Sequence, residues 1–325
     1  MQRLVAFFPK LWESLQRSEL VIDSGLTHAP LLSGPQIADL RQRALSAIAY
    51  QKTNKPVLHR QHGEHVSPRR GRGLDYDESR LYQTGDEIRF MNWRLTARSG
   101  EPHVKVFREE RMPSAFIVLD WRAGMRFGTQ IRLKAEQALR AAVLMIFYNH
   151  YCGRSLSGLV INAGLQWLET CHDEQAILGM VSGMNQPCPP LPINHPQVNF
   201  IDVLRAIQTT STPGTQVYLI SDFNDVTSDC QSILAQLAAE QNVNAIHIVD
   251  PAEQRLPRAG KLPLSGTSDD SVPQVDTSNM QVAEQFGRAA QQYLTERESS
   301  LRGLGISYVR LLTTVECIET DLVFT

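Results

Sequence analysis

From residue 115 onward the chain alternates short, apolar, β-rich runs with stretches of helical period, and few architectures accommodate that alternation. The runs fall at 115–119, 157–161, 217–220, 244–249 and 308–312, and helical spacing covers 132–150, 173–184, 200–209, 228–241 and 280–299. Strands apolar on both faces and separated by crossover-length helices predict an α/β fold, a doubly wound, mostly parallel sheet covered on both sides. The segment 260–279 is rich in Ser, Asp and Pro and reads as an exposed connection. Upstream, Ser33-Gly34-Pro35 is a helix start, and Ile37, Leu40, Ala44, Leu45 and Ile48 share one face, so 35–50 is expected to be an amphipathic helix.

A chain of 325 residues exceeds one typical domain, which predicts a large α/β core with a smaller unit containing helical, extended and β segments ahead of it. The expected divisions are 1–70, 71–112 and 113–325. A net charge of −2 argues against coating nucleic acid or an acidic membrane by bulk charge. The cysteines, Cys152, Cys171, Cys188, Cys230 and Cys317, never form a C-x-x-C pair and read as reduced thiols of a cytoplasmic protein. Residues 1–15 are apolar but broken by Pro9 and Lys10, which suits a short packing helix better than a signal peptide. The apolar run 135–151 carries Glu136 and Arg140 and is too short for about 30 Å of hydrocarbon, so it is read as a buried core helix, and no membrane span is expected. Between 52 and 73 the pattern dissolves into Lys, Arg, His, Pro and Gly; His59, His62 and His65 lie there at irregular spacing, as in a solvated loop.

Three of the expected strands end in an aspartate: Asp120, Asp222 and Asp250. In open parallel sheets ligands bind beyond the carboxyl ends of the strands, and carboxylates converging there suit a hard cation such as Mg²⁺. The plainer reading is that strand-end aspartates cap turns and the helices that follow, and for Asp250, followed by Pro251, that reading is preferred. A first strand ending in Asp120 and a later one ending in Ser221-Asp222 resembles the von Willebrand factor A domain. That family commonly holds a divalent ion with hydroxyls after its first strand, a threonine in a second loop and an aspartate in a third. Here the hydroxyl positions are Arg122 and Gly124, and the second loop, near Val198 and Asn199, has no threonine. Two carboxylates remain, Asp120 and Asp222, as a weak, degenerate metal site. Arg122 is placed to put its guanidinium where the cation would have been.

Residues 71–128 carry a denser pattern: a Gly-rich start at Gly71 and Gly73, then Arg80, Tyr82, Gly85-Asp86, Arg89, Trp93, Ala97-Arg98, and a Lys105-x-Phe107-x-Glu109-Glu110 strand entering the first strand of the sheet. This stretch closely resembles the domain of unknown function 58 family, and weaker resemblance continues through Phe127-Gly128-Thr129 and Lys134 to Asp222. Where members often have Gly-Asp-Asp and Ile-Asp-Trp, this chain has Gly85-Asp86-Glu87 and Met91-Asn92-Trp93, and the second change removes a carboxylate. Read as chemistry, 83–86 is turn sequence, with Asp86 spaced to cap the segment carrying Arg89, Trp93 and Arg98. Arginine and tryptophan interleaved with acids suit either a domain junction or a docking face for a protein. The candidate binding residues are Arg80, Tyr82, Gly85, Asp86, Arg89, Trp93, Arg94, Arg98 and Lys105.

Catalytic signatures are missing from the sequence: no G-x-G-x-x-G at a strand–helix turn, no G-x-x-x-x-G-K-[ST], no H-E-x-x-H and no G-x-S-x-G. His247 falls inside a strand, where a hydrogen-bonded core histidine is the ordinary explanation. The resemblance implies association with AAA+ ATPases of the MoxR type, and A-type domains generally bind proteins. It therefore implies a non-enzymatic adaptor or co-chaperone that works with a separate ATPase and a protein client, without a cofactor of its own. The alternatives are a Mg²⁺-dependent hydrolase using the strand-end carboxylates and a nucleic-acid binder using the basic loop.

Overall fold

The computed structural model describes residues 29–54, 75–108, 113–189, 197–257, 259–263 and 274–322. The chain divides into two compact units, one of residues 56–113 and one formed by the rest. The apolar N-terminal stretch and His59, His62 and His65 lie outside the described residues.

The first helix among the described residues, α1 (Gly34–Asn54), begins where Ser33 donates its backbone N–H to the side-chain oxygen of Gln36, one half of a capping box. It belongs to the same unit as the large sheet, and its Leu40 and Ala44 are buried in that unit's core. In the smaller unit, β1 (Asp75–Leu81) pairs antiparallel with β2 (His103–Arg108), and helix α2 (Trp93–Ser99) lies in the connection between them.

In the large unit the elements run β3 (Ser114–Asp120), α3 (Lys134–Tyr151), β4 (Ser155–Ile161), β5 (Leu165–Cys171), α4 (Glu174–Met184), α5 (Phe200–Thr210), β6 (Gln216–Ser221), α6 (Ser228–Glu240), β7 (Asn242–Val249), α7 (Pro251–Gln254), β8 (Lys261–Pro263), β9 (Gln274–Asp276), α8 (Met280–Gly303), β10 (Ser307–Leu312) and α9 (Glu319–Leu322). Strands β10-β7-β6-β3-β4-β5 form the six-stranded sheet, parallel throughout except for β5. This is the mostly parallel, doubly wound sheet expected of the von Willebrand factor A type. Alternate residues of each strand feed two cores, as the pleat requires. Ala115, Ile117 and Leu119 join α1, α3 and α4 on one side, while Phe116 and Val118 join α5 and α6 on the other. The run 135–151 is the buried helix expected of it, and no helix among the described residues is long and apolar enough to cross a membrane.

Two elements correct the sequence reading. Strand β5 was not expected, because Gln166, Trp167, Glu169 and Thr170 are exposed and break the apolar run. An antiparallel neighbour needs only the short turn in which Asn162 N–H reaches Gly164 C=O, not a helical crossover. The connection 260–279 contains the short hairpin of β8 with β9, held by backbone pairing that three-residue strands do not announce in side-chain pattern.

The turn after β3 is closed tightly at Gly128, where a Cβ would collide with the backbone of Arg132 and Leu133. Gly128→Ala is expected to cost about 1–3 kcal/mol in urea unfolding, as overpacked sites do. Gly164→Ala, with nothing within 4 Å of the added carbon, should stay within about 0.5 kcal/mol of the parent.

Candidate functional site

Strands β3 and β6 are neighbours, so the loops after Asp120 and Ser221 open at the same point of the sheet edge. The carboxylate of Asp120 is buried and saturated with donors. Oδ1 accepts from the backbone N–H of Arg122 at 3.0 Å and from its Nε at 3.0 Å. Oδ2 accepts from the other side of the same guanidinium at 2.7 Å and from Ser221 Oγ at 2.6 Å. The remaining arm of Arg122 donates to Asp225 and, at 3.4 Å, to the carbonyl of Val198, and its plane lies 5.4 Å from the ring centre of Phe200. Burial disfavours the charged guanidinium, but Asp120, Asp225 and Asp222 outweigh it and hold its pKa above the usual value.

Asp222 is engaged differently. Lys134, in the first turn of α3, donates to Asp222 at 3.1 Å and to Glu253 at 2.6 Å. All three side chains are buried. Burial presses the Asp222 pKa upward, but Lys134 and Arg122 bring it below the ordinary carboxylate value. For Glu253 burial wins over Lys134, and its pKa is pushed up to about 7. Sequence reasoning gave Lys134 no role beyond the resemblance and missed Glu253. Each left a trace: Asp250-Pro-Ala-Glu253 has the spacing of a capping box, and a lysine in a first helical turn is on the unfavourable side of the macrodipole unless acids face it.

Asp250 is a structural cap, as preferred from sequence. It accepts from Ala252 N–H at 3.0 Å while the backbone N–H of Asp250 donates to the Glu253 side chain at 2.8 Å, and Thr129 and Thr313 fill the remaining lone pairs of Asp250. His247 is fully buried, bonded through Nδ1 to Tyr308 at 2.7 Å, and burial pushes its pKa down to about 3. Among the described residues no group of three or more His, Cys, Asp or Glu is placed to hold a metal ion. The geometry does not fit the divalent ion of the A-type fold, because Asp120 is already chelated by a guanidinium and Asp222 by an ammonium.

The smaller unit presents a different surface. Arg80 forms a forked pair with Asp86 at 2.8 and 2.6 Å, and Asp86 also accepts from Gln83 N–H at 2.8 Å. Arg80 first, then that backbone bond, lowers the Asp86 pKa. Gly85 supplies the positive φ of 108° that closes this turn. Asp86 therefore staples its own turn and does not cap α2, contrary to the sequence expectation. Asn92 is the cap: its Oδ1 accepts from Leu95 N–H at 3.2 Å and its Nδ2 donates to Ser79 at 2.9 Å. An amide accepts and donates at once, which a carboxylate in its place would not.

Tyr82 is half-buried, and its backbone N–H reaches Pro102 C=O at 2.8 Å. Arg89 pairs with Glu87 and lies over Phe90, 4.8 Å from the ring centre. Trp93 is 65 % exposed, and Arg94, Arg98 and Lys105 are exposed with no ion pair among the described residues. Of the candidate binding residues, Arg80, Gly85 and Asp86 build the turn, and Trp93, Arg94, Arg98 and Lys105 face solvent.

Two outcomes test the strand-end network. Arg122→Ala leaves Asp120 buried without its cation and is expected to cost about 3–5 kcal/mol in denaturant unfolding; a loss under about 1 kcal/mol would mean that the carboxylate is readily re-solvated. Glu253 keeps its proton in the folded chain up to about pH 7 but ionises near 4.5 when unfolded. The unfolded chain then binds fewer protons in that window, so ionisation of Glu253 makes stability fall as pH rises through it, by up to about 1.4 kcal/mol per unit. Glu253→Gln removes this component, and its stability relative to the parent should improve between pH 5 and about 7.

A family model described as "Protein of unknown function DUF58" matches residues 78–296. Uncharacterized proteins of Mycobacterium tuberculosis (strain ATCC 25618 / H37Rv) and Mycobacterium bovis are each 29% identical to the chain over 256 residues, 78% of this chain and 78% of theirs. Among solved structures, the conserved hypothetical protein BatB from Bacteroides thetaiotaomicron is similar with 12% identity and a TM-score of 0.39, over 62% of this chain and 91% of that one. The VWA domain of SpRpn10 is similar with 14% identity and a TM-score of 0.35, over 66% of this chain and 97% of that one.

Proposed function

The chain belongs to the DUF58 family, and on that premise we propose that it is a non-enzymatic, protein-binding adaptor or co-chaperone that works with a separate MoxR-type AAA+ ATPase in the assembly or maturation of a protein complex. The observation that carries the reading is the exposed Trp93 beside Arg94 and Arg98 on a short helix whose ends are fixed by Asn92 and Gly100. Tryptophan and arginine are the residue types that most often anchor interfaces, and a helix capped at both ends presents them on a backbone that is already ordered before docking. The ATPase and its client come from the resemblance. All five cysteines are free, in keeping with a cytoplasmic setting for such a complex.

The strand-end carboxylates support the same reading from the other direction. A Mg²⁺-dependent hydrolase built on Asp120 and Asp222 would have to displace Arg122 and Lys134, and the Ser221 hydroxyl beside Asp120 is buried and donates to that carboxylate. We therefore assign no cofactor to the activity.

In a pull-down of the partner ATPase, Trp93→Ala and Arg98→Ala are each expected to weaken capture by about 1–3 kcal/mol with an unchanged melting temperature. Capture that survives both changes and is abolished by Asp222→Asn in a protein of normal stability would move the docking site to the strand ends. A micromolar Mg²⁺ affinity that disappears in Asp120→Asn would favour the hydrolase instead.

A further inference from the structure

We propose that the segment captured on this face is an acidic stretch of a protein partner, with carboxylates flanking an apolar anchor. The inference rests on the docking reading above and gives that site its chemistry.

Helix α2, WRLTARS, carries two arginines and no acid. Trp93 and Ala97 are four residues apart, as are Arg94 and Arg98, so these side chains share one side of the helix. The opposite side is occupied by the hairpin: Leu95 and Thr96 are half-buried, and Thr96 Oγ1 accepts from the backbone N–H of His103 at 3.0 Å. Two acids of the unit are committed elsewhere, Asp86 to Arg80 and Glu87 to Arg89. Glu101, just past Gly100, makes no ion pair with Arg98 among the described residues. No ion pair among the described residues offsets the positive charge of Arg94 and Arg98.

The charge continues onto β2. His103 Nδ1 sits 3.2 Å from Ser99 Oγ, at the end of α2. Lys105, two residues further along the strand, shares the His103 face and is exposed. Arg94 and Arg98 thus lie on the side of α2 that carries the exposed Trp93, and Lys105 adds an exposed cation on the strand face whose His103 touches the end of α2. Two guanidiniums spaced i, i+4 repel one another in the free protein, and carboxylates docked against them relieve that repulsion while forming forked, charge-assisted bonds. Trp93 adds a large apolar face and an N–H donor, which suits an anchor residue between the acids. A nucleic acid is the poorer fit: the whole chain has a net charge of −2, and a strand of bases calls for several aromatic platforms along a basic groove.

The test uses the full-length chain and a fluorescently labelled synthetic peptide of alternating Glu and Leu, followed by anisotropy. The peptide in which Lys replaces Glu, a single-stranded DNA oligonucleotide and phosphatidylserine vesicles serve as competing probes. The acidic peptide should bind, weaken as salt is raised, and lose about tenfold or more in affinity in Arg94→Glu/Arg98→Glu, while that variant gains affinity for the Lys peptide. Arg94→Lys/Arg98→Lys should retain part of the binding, because it keeps the charge but loses the fork. Melting curves of each variant confirm that α2 still folds. The proposal is overturned if the charge-reversed variant holds the acidic peptide as tightly as the parent, or if the oligonucleotide or the vesicles compete better than the acidic peptide. Should Trp93→Ala release the partner ATPase while Arg94→Glu/Arg98→Glu does not, the docking reading stands and the acidic assignment falls.

Discussion

Lys134 has none of its surface in solvent, and its ammonium is held between Asp222 and Glu253. Much of the large unit is arranged around that contact. Lys134 opens α3, the helix buried against the sheet; Asp222 follows β6; and Glu253 belongs to the one-turn helix after β7. A single cation therefore joins three elements far apart in sequence at one end of the sheet. Bringing the ammonium and the Asp222 carboxylate out of water costs several kcal/mol per ion, and Glu253 adds its charge only above about pH 7, so the triad is weak evidence for stability as such. What it specifies is register: any slip of α3 along the sheet strands a buried charge.

Arg122 repeats the device one strand over. It lies two residues after the aspartate that it chelates, so the pair forms as soon as the chain turns at the end of β3, and only its outer arm depends on the distant Asp225 and Val198. The loop carrying Asp225 is itself constrained, since Phe223 adopts a φ of 50°, unusual for a residue with a Cβ. In turn Arg297 and Tyr293 of α8 hold that loop through Val226 C=O and the Asn224 side chain. The crevice where open α/β sheets usually receive a ligand is thus filled by the protein's own cations and carboxylates. That filling is why the docking reading rests on exposed residues of the smaller unit.

The parallel strands and the helices between them were legible because burial on both faces writes an unbroken apolar run, and the observed elements fall close to the periods seen in sequence. β5 was illegible for the complementary reason: an edge strand with a wet face has a mixed pattern, and a hairpin turn leaves no crossover to mark it. The cap of α2 shows how a site reading fails. Asp86 ends the turn sequence 83–86 just ahead of the segment carrying Arg89, Trp93 and Arg98, and that place suggests a cap, yet Arg80 lies across the hairpin turn and takes the carboxylate first. Asn92, which looked like the loss of a charge, performs the capping. Lys134 and Glu253 needed the tertiary structure, because a lysine partnered across 119 residues has no local signature beyond being in an unfavourable place.

The two buried cations are not interchangeable, and the reason is geometric. Asp120 presents both oxygens to one partner, and a planar guanidinium meets them with two parallel donors while its third arm reaches Asp225 and its face lies near Phe200. An ammonium at Arg122 would satisfy one oxygen well and leave the span to Asp225 unmade. At Lys134 the requirement is reversed: Asp222 and Glu253 each offer one oxygen to the same small nitrogen, and three tetrahedral donors serve acceptors arriving from different elements. A guanidinium there would demand more volume than a site with no exposed surface provides. Each strand end therefore carries the cation whose shape matches the number and direction of the carboxylate oxygens that converge on it.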